Sequence, residues 1–325
     1  MYLKRKNLIL SLIAIFVFTS NLIGSHNQGN LDQIYQNLLN SGSVYEWEAK
    51  TISFQNKGMN IVGILTVPKV AKPCPIILIL HGFGGDKYGF PVAGTGEGYF
   101  DRLARKLAEQ GFCSLRIDFR GSGQSDGTFD VTSFTGQHSD AIAALDFIKT
   151  LKNTVKISKI GVLGHSQGGL VASMTAASDK RVDSLVLWAA TGYPPHDFEG
   201  LFEKSGIKQG MALPDGGSAV FPLYIDGVYI LSLPIGKQFF VDLFNEDPLV
   251  AVSKFKNPMM YVSPLQDAIV WPQPNVGNAF LTHHEGYEKL VTVDADHNYN
   301  YLVGPEQLDI TINWTIAWFI QTLGN

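Results

Sequence analysis

The stretch KIGVLGHSQGGLVASM, residues 159–174, joins two different kinds of local sequence. An apolar run stops at GHSQG, residues 164–168, and a segment of small, helix-compatible residues follows. This order predicts a strand, a sharp turn and a helix. A serine at such a turn, here Ser166, adopts a strained backbone conformation, and Gly164 and Gly168 remove side chains that would block the approach of strand and helix. The pattern is that of a nucleophile elbow.

A second G-x-S-x-G pattern, GQSDG at residues 123–127, has different surroundings. Neither an apolar run before it nor a helix-forming segment after it flanks Ser125, which lies in the polar stretch FRGSGQSDG. We interpret Ser125 as a turn residue and Ser166 as the candidate nucleophile. The amide of Gln167 then lies at a helix N-terminus, directed to where an oxyanion would form beside the serine.

Composition limits the class of protein. A chain of 325 residues with 45% hydrophobic content can bury a sizeable core, in one large α/β domain or two smaller ones. The formal net charge is −4, and no Lys/Arg-rich run occurs beyond the first few residues. A nucleic-acid partner is therefore not expected.

The N-terminus resembles an export signal. A basic KRK, residues 4–6, precedes the apolar run LILSLIAIFVF, residues 8–18. We predict a signal peptide over residues 1–25 and a secreted or periplasmic chain over residues 26–325. An uncleaved N-terminal anchor is the alternative, because no clean A-x-A site follows. No other apolar run is long enough to span a bilayer, so no further membrane association is expected.

Two cysteines, Cys74 and Cys113, each stand at the start of a predicted strand. Export would allow a disulfide between them without requiring one. We favour two buried free thiols, with the disulfide as the alternative.

Apolar runs alternate with helical patterns through most of the chain. A hairpin is predicted from residues 49–54 and 61–67. Further strands are predicted at 75–80, 112–117, 160–163, 182–188, 258–262 and 290–293, and helices at 31–39, 99–107, 141–151 and 307–322. This rhythm predicts a mostly parallel central sheet with helices on both faces. Ligands of such sheets bind at the carboxyl ends of the strands.

Residues 192–250 interrupt this rhythm with a segment rich in Gly, Pro and aromatic residues. We predict a cap inserted into the sheet domain. Within it, two apolar runs flank Asp226-Gly227, which is the signature of a β-hairpin. The aromatic residues suggest an apolar or aromatic ligand, with packing of the cap's own core as an equal alternative.

A serine nucleophile needs a base oriented by an acid, in the chain order serine, acid, histidine for this architecture. His297 follows the last predicted strand and is the candidate base. Asp267 lies in the loop after the preceding strand and is the candidate acid. Asp294 and Asp296 are close to His297 in sequence and are interpreted as loop residues. The other downstream histidines are assigned to the surface: His196, His283 and His284.

A second amide must also face the oxyanion. The turn HGFGG, residues 81–85, follows a central strand and offers the amide of Phe83. The candidate oxyanion hole is therefore the backbone of Phe83 and Gln167. His81 is interpreted as structural, and an ordinary tight turn is the alternative for these glycines.

Five motifs together resemble the α/β-hydrolase superfamily, and most closely its feruloyl or cinnamoyl esterase-like branch. They are HGFGG, LRIDFRGSGQSDG, GHSQGGLVASM, the D-x-x-V of residues 267–270, and ADHN. The resemblance implies an α/β-hydrolase fold with an inserted cap, the triad Ser166, Asp267 and His297, oxyanion amides from Phe83 and Gln167, and an ester of an aromatic acid beneath the cap.

The predicted activity is that of a serine esterase that cleaves carboxylic esters through an acyl-enzyme. Its partner would be a small-molecule ester of an aromatic, hydroxycinnamic-type or short acyl acid, and no metal or organic cofactor is implied. Lipase, thioesterase, amidase or acyltransferase activity would use the same residues. A non-catalytic binding protein of the same fold is the alternative from another class. The sequence leaves the oligomeric state open.

Overall fold

The structure is a computed structural model that describes residues 25–40, 45–70, 73–151, 155–225 and 227–324. The predicted signal or anchor segment, apart from Ser25, lies outside the described residues. Within these ranges, no helix is both long enough and apolar enough to cross a membrane.

Across the described ranges, eight strands form one sheet in the order β1-β2-β4-β3-β5-β6-β9-β10. The two strands β1 and β2 form an antiparallel hairpin, β2 is antiparallel to β4, and the remaining neighbours are parallel. These strands are β1 (Trp47–Asn56), β2 (Met59–Pro68), β3 (Cys74–Leu80), β4 (Cys113–Ile117), β5 (Ile157–His165), β6 (Ser184–Trp188), β9 (Met259–Pro264) and β10 (Glu288–Val293). The mostly parallel sheet predicted from the apolar runs is confirmed.

Helices connect the strands and cover the sheet. They are α1 (Ser25–Asn40), α2 (Tyr99–Glu109), α3 (Phe134–Thr150), α4 (Gln167–Ser178), α5 (Pro194–Met211), α6 (Lys237–Asn245), α7 (Pro248–Val252), α8 (Asn275–His283) and α9 (Glu306–Leu323). A short 3-10 helix spans Phe129–Val131.

Alternate residues of the buried strands serve two separate cores. In β3, Ile76 and Leu78 belong to one apolar cluster, together with α3 and α4. Their neighbours Ile77 and Ile79 belong to the other, with α2 and α9. Because successive side chains of a strand point to opposite faces, a strand apolar at every position is buried on both. This explains why β3 shows no polar alternation.

The inserted segment leaves the sheet after β6 and returns before β9. It contains α5, the hairpin of β7 (Ser218–Ile225) and β8 (Val228–Gly236), and the helices α6 and α7. Phenylalanines on these elements are buried against one another and against the sheet domain: Phe198, Phe202, Phe221, Phe239 and Phe240. Most of the aromatic content of the cap therefore builds its own core.

The two cysteines form a disulfide, so the interpretation as free thiols is wrong. Cys74 begins β3 and Cys113 begins β4, which is the parallel neighbour of β3. Their Cα atoms lie 6.2 Å apart, a separation that a disulfide spans. Strand order decides the pairing, and strand order is not visible in the spacing of two cysteines.

Candidate active site

Ser166 stands at the turn between β5 and α4 with φ 56° and ψ −124°. A positive φ is strained for a residue with a side chain and persists only where the surroundings impose it. Here the Ser166 amide donates to the carbonyl oxygen of Trp188, and the Ser166 carbonyl accepts from the amides of Gly169 and Thr191. The strand-to-helix turn predicted from residues 159–174 is therefore present.

Two glycines allow the backbones to approach at this turn. A Cβ atom on Gly164 would lie 2.1 Å from the carbonyl oxygen of Gly168. A Cβ atom on Gly168 would lie 2.3 Å from the carbonyl oxygen of Leu80 and 2.4 Å from that of His81. The contacted atoms are backbone and cannot move aside. Any larger residue at either position would displace the elbow or the end of β3.

Three side chains from three loops meet beside this turn. The Nε2 atom of His297 lies 2.9 Å from the hydroxyl oxygen of Ser166, and its Nδ1 atom lies 2.7 Å from Oδ2 of Asp267. A carboxylate only accepts, so Nδ1 carries the proton and Nε2 accepts from the serine hydroxyl. All three residues are buried. The structure thus brings together the serine, acid and histidine that the chain order predicts.

The loop around Asp267 fixes the orientation of this carboxylate. Its Oδ1 atom accepts hydrogen bonds from the amides of Ile269 and Val270, both at 2.8 Å, which leaves Oδ2 for His297. The loop itself is held to the histidine loop, because the amide of Gln266 donates to the carbonyl oxygen of Ala295. Acid and base are therefore positioned as one unit.

The predicted oxyanion donors lie on either side of the serine. Gln167 is the first residue of α4, where amides lack intrahelical acceptors. The loop carrying Phe83 packs closely on the elbow, since a Cβ atom on Gly82 would lie 3.1 Å from the Cβ of Ser166. Within the described ranges, the Phe83 amide donates no hydrogen bond. Its ring is held by aromatic neighbours, with Phe129 at 5.2 Å between centroids.

A buried hydrogen-bond chain behind the histidine was not predicted from the sequence. His165 Nε2 lies 3.1 Å from the carbonyl oxygen of His297, and His165 Nδ1 lies 3.2 Å from the hydroxyl oxygen of Tyr99. A carbonyl oxygen only accepts, so Nε2 carries the proton and Nδ1 accepts from Tyr99. Burial, and next the charge of His297, lower the pKa of His165 to about 3. His165 is therefore a neutral link between α2 and the base.

One assignment among the other histidines is wrong. His284 is buried, with Nδ1 3.1 Å from Glu288 and Nε2 3.0 Å from the carbonyl oxygen of Asn257. These partners lie in the strand and loop beside α8 and anchor its C-terminal end. His283 is exposed, as expected, and His196 is half exposed beside Asp197.

The remaining polar candidates have structural partners. Ser125 donates to the carbonyl oxygen of Asp118 and accepts from the amide of Val62. Asp296 accepts from backbone amides of its own loop, and Asp294 from the side chain of Gln266. Buried His81 accepts from the amide of Phe119, and burial lowers its pKa. In the part of the chain that is described, no group of three His, Cys, Asp or Glu side chains could hold a metal ion.

Comparison with known proteins agrees with the sheet and the elbow. A family model for the alpha/beta hydrolase fold matches residues 75–210, which contain the HGFGG turn and the serine. The protein therefore has the α/β-hydrolase fold, with a cap inserted between β6 and β9.

Similar proteins include several esterases. The chain is 24% identical to the esterase EstD of Thermotoga maritima over 257 residues, which is 75% of this chain but only 60% of EstD. Among solved structures, Est1E of Butyrivibrio proteoclasticus with bound ferulic acid has a TM-score of 0.66 at 23% identity, covering 84% of this chain and all of Est1E. The esterase domain of a Rhodothermus marinus protein has a TM-score of 0.61 at 20% identity, covering 84% of this chain and 98% of that domain. The chain thus spans less than two thirds of EstD, and the two solved structures share its fold.

Proposed function

We propose that this protein is a serine carboxylesterase. The observation that supports it most is the continuous contact from Asp267 through His297 to Ser166, at 2.7 and 2.9 Å. A carboxylate, an imidazole and a hydroxyl in that order convert a poor nucleophile into an effective one.

The chemistry follows from these contacts. His297 Nε2 takes the proton of Ser166 as the hydroxyl oxygen attacks the ester carbonyl carbon. The amides of Phe83 and Gln167 stabilise the resulting oxyanion. His297 then gives the proton to the departing alkoxide. The alcohol dissociates, and the acyl group remains bound to Ser166 as an acyl-enzyme. Water attacks this ester with His297 as base, which releases the carboxylic acid and restores the serine.

Hydrolysis of p-nitrophenyl acetate by matched serine variants tests this proposal. Ser166→Ala should lose several orders of magnitude in kcat, because the nucleophile is gone. The Ser125→Ala variant, changed in the second G-x-S-x-G pattern, should retain the wild-type activity, although it loses two buried hydrogen bonds. Equal rates for Ser166→Ala and the wild type would refute the enzyme and favour a binding protein.

The proposed substrates are esters of aromatic or short acyl acids. A small pocket of about 160 Å³ lies between the cap and the acid loop. Its walls include Leu201, Tyr224, Ile269 and Trp271, and it adjoins the loop of Asp267, although no residue of the candidate triad lines it. An acyl group that extends from Ser166 past this loop would enter it. Est1E, whose structure contains ferulic acid, supports the aromatic class. Lipase, thioesterase and acyltransferase activities are the alternatives on the same residues.

Paired substrates separate these classes. Methyl ferulate should be hydrolysed, and a long-chain triglyceride should not. Trp271→Ala should raise KM for methyl ferulate far more than for p-nitrophenyl acetate. The acetyl group is too small to extend from Ser166 to the pocket wall that Trp271 forms. Preference for the triglyceride would replace the esterase proposal with a lipase.

We also propose that the protein is exported. The basic and apolar start of the sequence supports this location, and the Cys74–Cys113 disulfide is typical of oxidising compartments. Fractionation of the cells should find the protein in the periplasm or the medium. Recovery in the cytosol would refute it.

A further inference from the structure

A groove of about 350 Å³ lies between α2 and the hairpin side of the sheet, and none of the candidate active-site residues lines it. One part of its lining is apolar and the other is polar. The apolar part is formed by Trp47, Ala49, Ile64 and Ala104. The polar part includes Lys50, Thr66, Glu97, Asp101, Arg105 and Arg116. Such a surface fits a ligand with an apolar body and a polar end.

Three buried polar groups without partners gather beside this groove. They are the hydroxyls of Thr66 and Ser114 and the Nε atom of Arg116. Thr66 pairs with Ser114 in the register of β2 and β4, and Ile64 pairs with Arg116 two residues away. Directly opposed residues and their i+2 neighbours share one face of a sheet. The three groups therefore lie on the sheet face that α2 covers.

All three groups can donate a hydrogen bond. Thr66 is 2% and Arg116 is 4% exposed, so the desolvation of their donors is costly unless an acceptor is present. The Nη1 atom of Arg116 is bound by Asp101, but the buried Nε atom has no acceptor among the described residues. A guanidinium N–H forms its strongest hydrogen bonds with a carboxylate oxygen.

The charges around the groove also favour an anion. The groove is lined by the cations Lys50, Arg105 and Arg116 and by the carboxylates Glu97 and Asp101. Glu97 is held by Arg105 and by Arg102, and Asp101 by Arg116. Lys50 makes no ion pair within the described ranges. Arg105 is also paired with Glu109, so Lys50 is the lining cation that remains available to attract an anion.

We propose that this groove binds a small carboxylate with an apolar body. These two donors are buried beneath the groove, so binding would open its floor and let the carboxylate accept hydrogen bonds from Arg116 Nε and the Thr66 hydroxyl. Its apolar body would lie against Trp47 and Ala104. The proposal does not depend on ester hydrolysis, because it uses no residue of the candidate active site.

Calorimetric titration with sodium benzoate tests the site in the Ser166→Ala background and in the wild type. Binding should be saturable in both, and Thr66→Val should weaken it by roughly tenfold, the effect of one lost charge-assisted hydrogen bond. Ser122→Ala is the matched control, since Ser122 is another buried hydroxyl without a partner but belongs to a different groove. Neutral benzamide should bind more weakly than benzoate. If benzoate binding does not saturate, or if Thr66→Val binds benzoate as tightly as the wild type does, the proposed site is wrong.

Thermal unfolding distinguishes a ligand-binding role of Thr66 from a purely structural one. Thr66→Val replaces an unpaired buried hydroxyl with a methyl of the same shape, so the ligand-free variant should melt at the same or a higher temperature than the wild type. Benzoate should raise the Tm of the wild type more than that of the variant. A lower Tm for the ligand-free variant, with an unchanged shift on benzoate addition, would overturn the assignment.

Discussion

The ring of His165 donates to the backbone carbonyl of His297 across 3.1 Å, so the residue before Ser166 holds the loop of His297. His165 is itself oriented by the hydroxyl of Tyr99, at 3.2 Å. Nucleophile and base are therefore positioned from the same strand end. Neither Tyr99 nor His165 is expected to touch substrate, and both act as positioning residues.

Removal of this link should slow the reaction without affecting substrate binding. We expect Tyr99→Phe and His165→Ala to lower kcat by roughly tenfold or more with little change in KM, because a small displacement of a catalytic group is costly. Steady-state hydrolysis of p-nitrophenyl acetate measures both constants. Tyr301→Phe is the control, since the hydroxyl of Tyr301 has no hydrogen-bond partner within the described ranges. Wild-type kcat in both test variants would contradict the positioning role.

The pH dependence of stability should also reveal His165. Its pKa is about 3 in the folded protein, below the ordinary value of 6.5. Between these values the unfolded chain binds a proton that the folded protein does not. The free energy of unfolding should therefore fall as the pH drops from about 6.5 towards 3, by at most roughly 1.4 kcal/mol per pH unit.

Urea unfolding at several pH values, with wild type and His165→Asn, measures this contribution. The variant should show a shallower loss of stability on acidification. His81 has its pKa lowered in the same direction and remains in both proteins, so the difference isolates His165. Parallel curves would show that His165 is not buried in its neutral form.

The buried ion pair of Lys87 and Asp118 should contribute strongly to stability. Their side chains are 1% and 0% exposed, and Asp118 also accepts from the amides of Lys87 and Gln124. Lys87→Met would leave the Asp118 charge buried without its cation, at a cost of roughly 3–5 kcal/mol. Urea unfolding measures this loss. Lys237→Met, which breaks a pair with fully exposed Asp215, is the control and should keep the wild-type midpoint.

The disulfide should stabilise the fold through the unfolded chain. It closes a loop with a sequence separation of 39 residues, which corresponds to about 4 kcal/mol in the chain-entropy account. We expect the double variant Cys74→Ala, Cys113→Ala to unfold at lower urea with its activity retained under native conditions. Reduction of the wild type should produce the same shift. Equal midpoints for oxidised and reduced protein would contradict this role.

Much of the fold could be predicted because the strands are buried on both faces. The apolar runs at 75–80 and 258–262 correspond to β3 and β9 within two residues. The chain order of Ser166, Asp267 and His297 was readable for a related reason. Each follows a parallel strand, and the carboxyl ends of parallel strands share one rim.

Features that depend on distant partners were not predicted correctly. The disulfide requires that β3 and β4 be neighbours, and the burial of His284 requires Asn257 and Glu288. Helix α3 begins at Phe134, seven residues before the predicted start at 141. Its first turns contain Asp140, which is buried because Arg120 and Asn56 bind it. The local pattern of hydrophobic residues does not indicate contacts between residues that are far apart in the sequence.

The His165–Tyr99 link was missed although one signal was present. An imidazole directly before the nucleophile, at the end of an apolar strand, must find hydrogen-bond partners once it is buried. The sequence does not say which partners. Only the fold brings the first residue of α2 and the backbone of His297 to opposite sides of this ring.

The position of the cap between β6 and β9 limits how the inserted segment can be built. The chain departs after β6 and re-enters before β9, and these strands are direct hydrogen-bonded neighbours. Because these strands are parallel, the end of β6 and the start of β9 lie at opposite ends of the sheet, so the inserted segment must also cross back along the sheet. Any change in the cap must therefore preserve this crossover, because β9 leads directly into the loop that holds Asp267 beside His297.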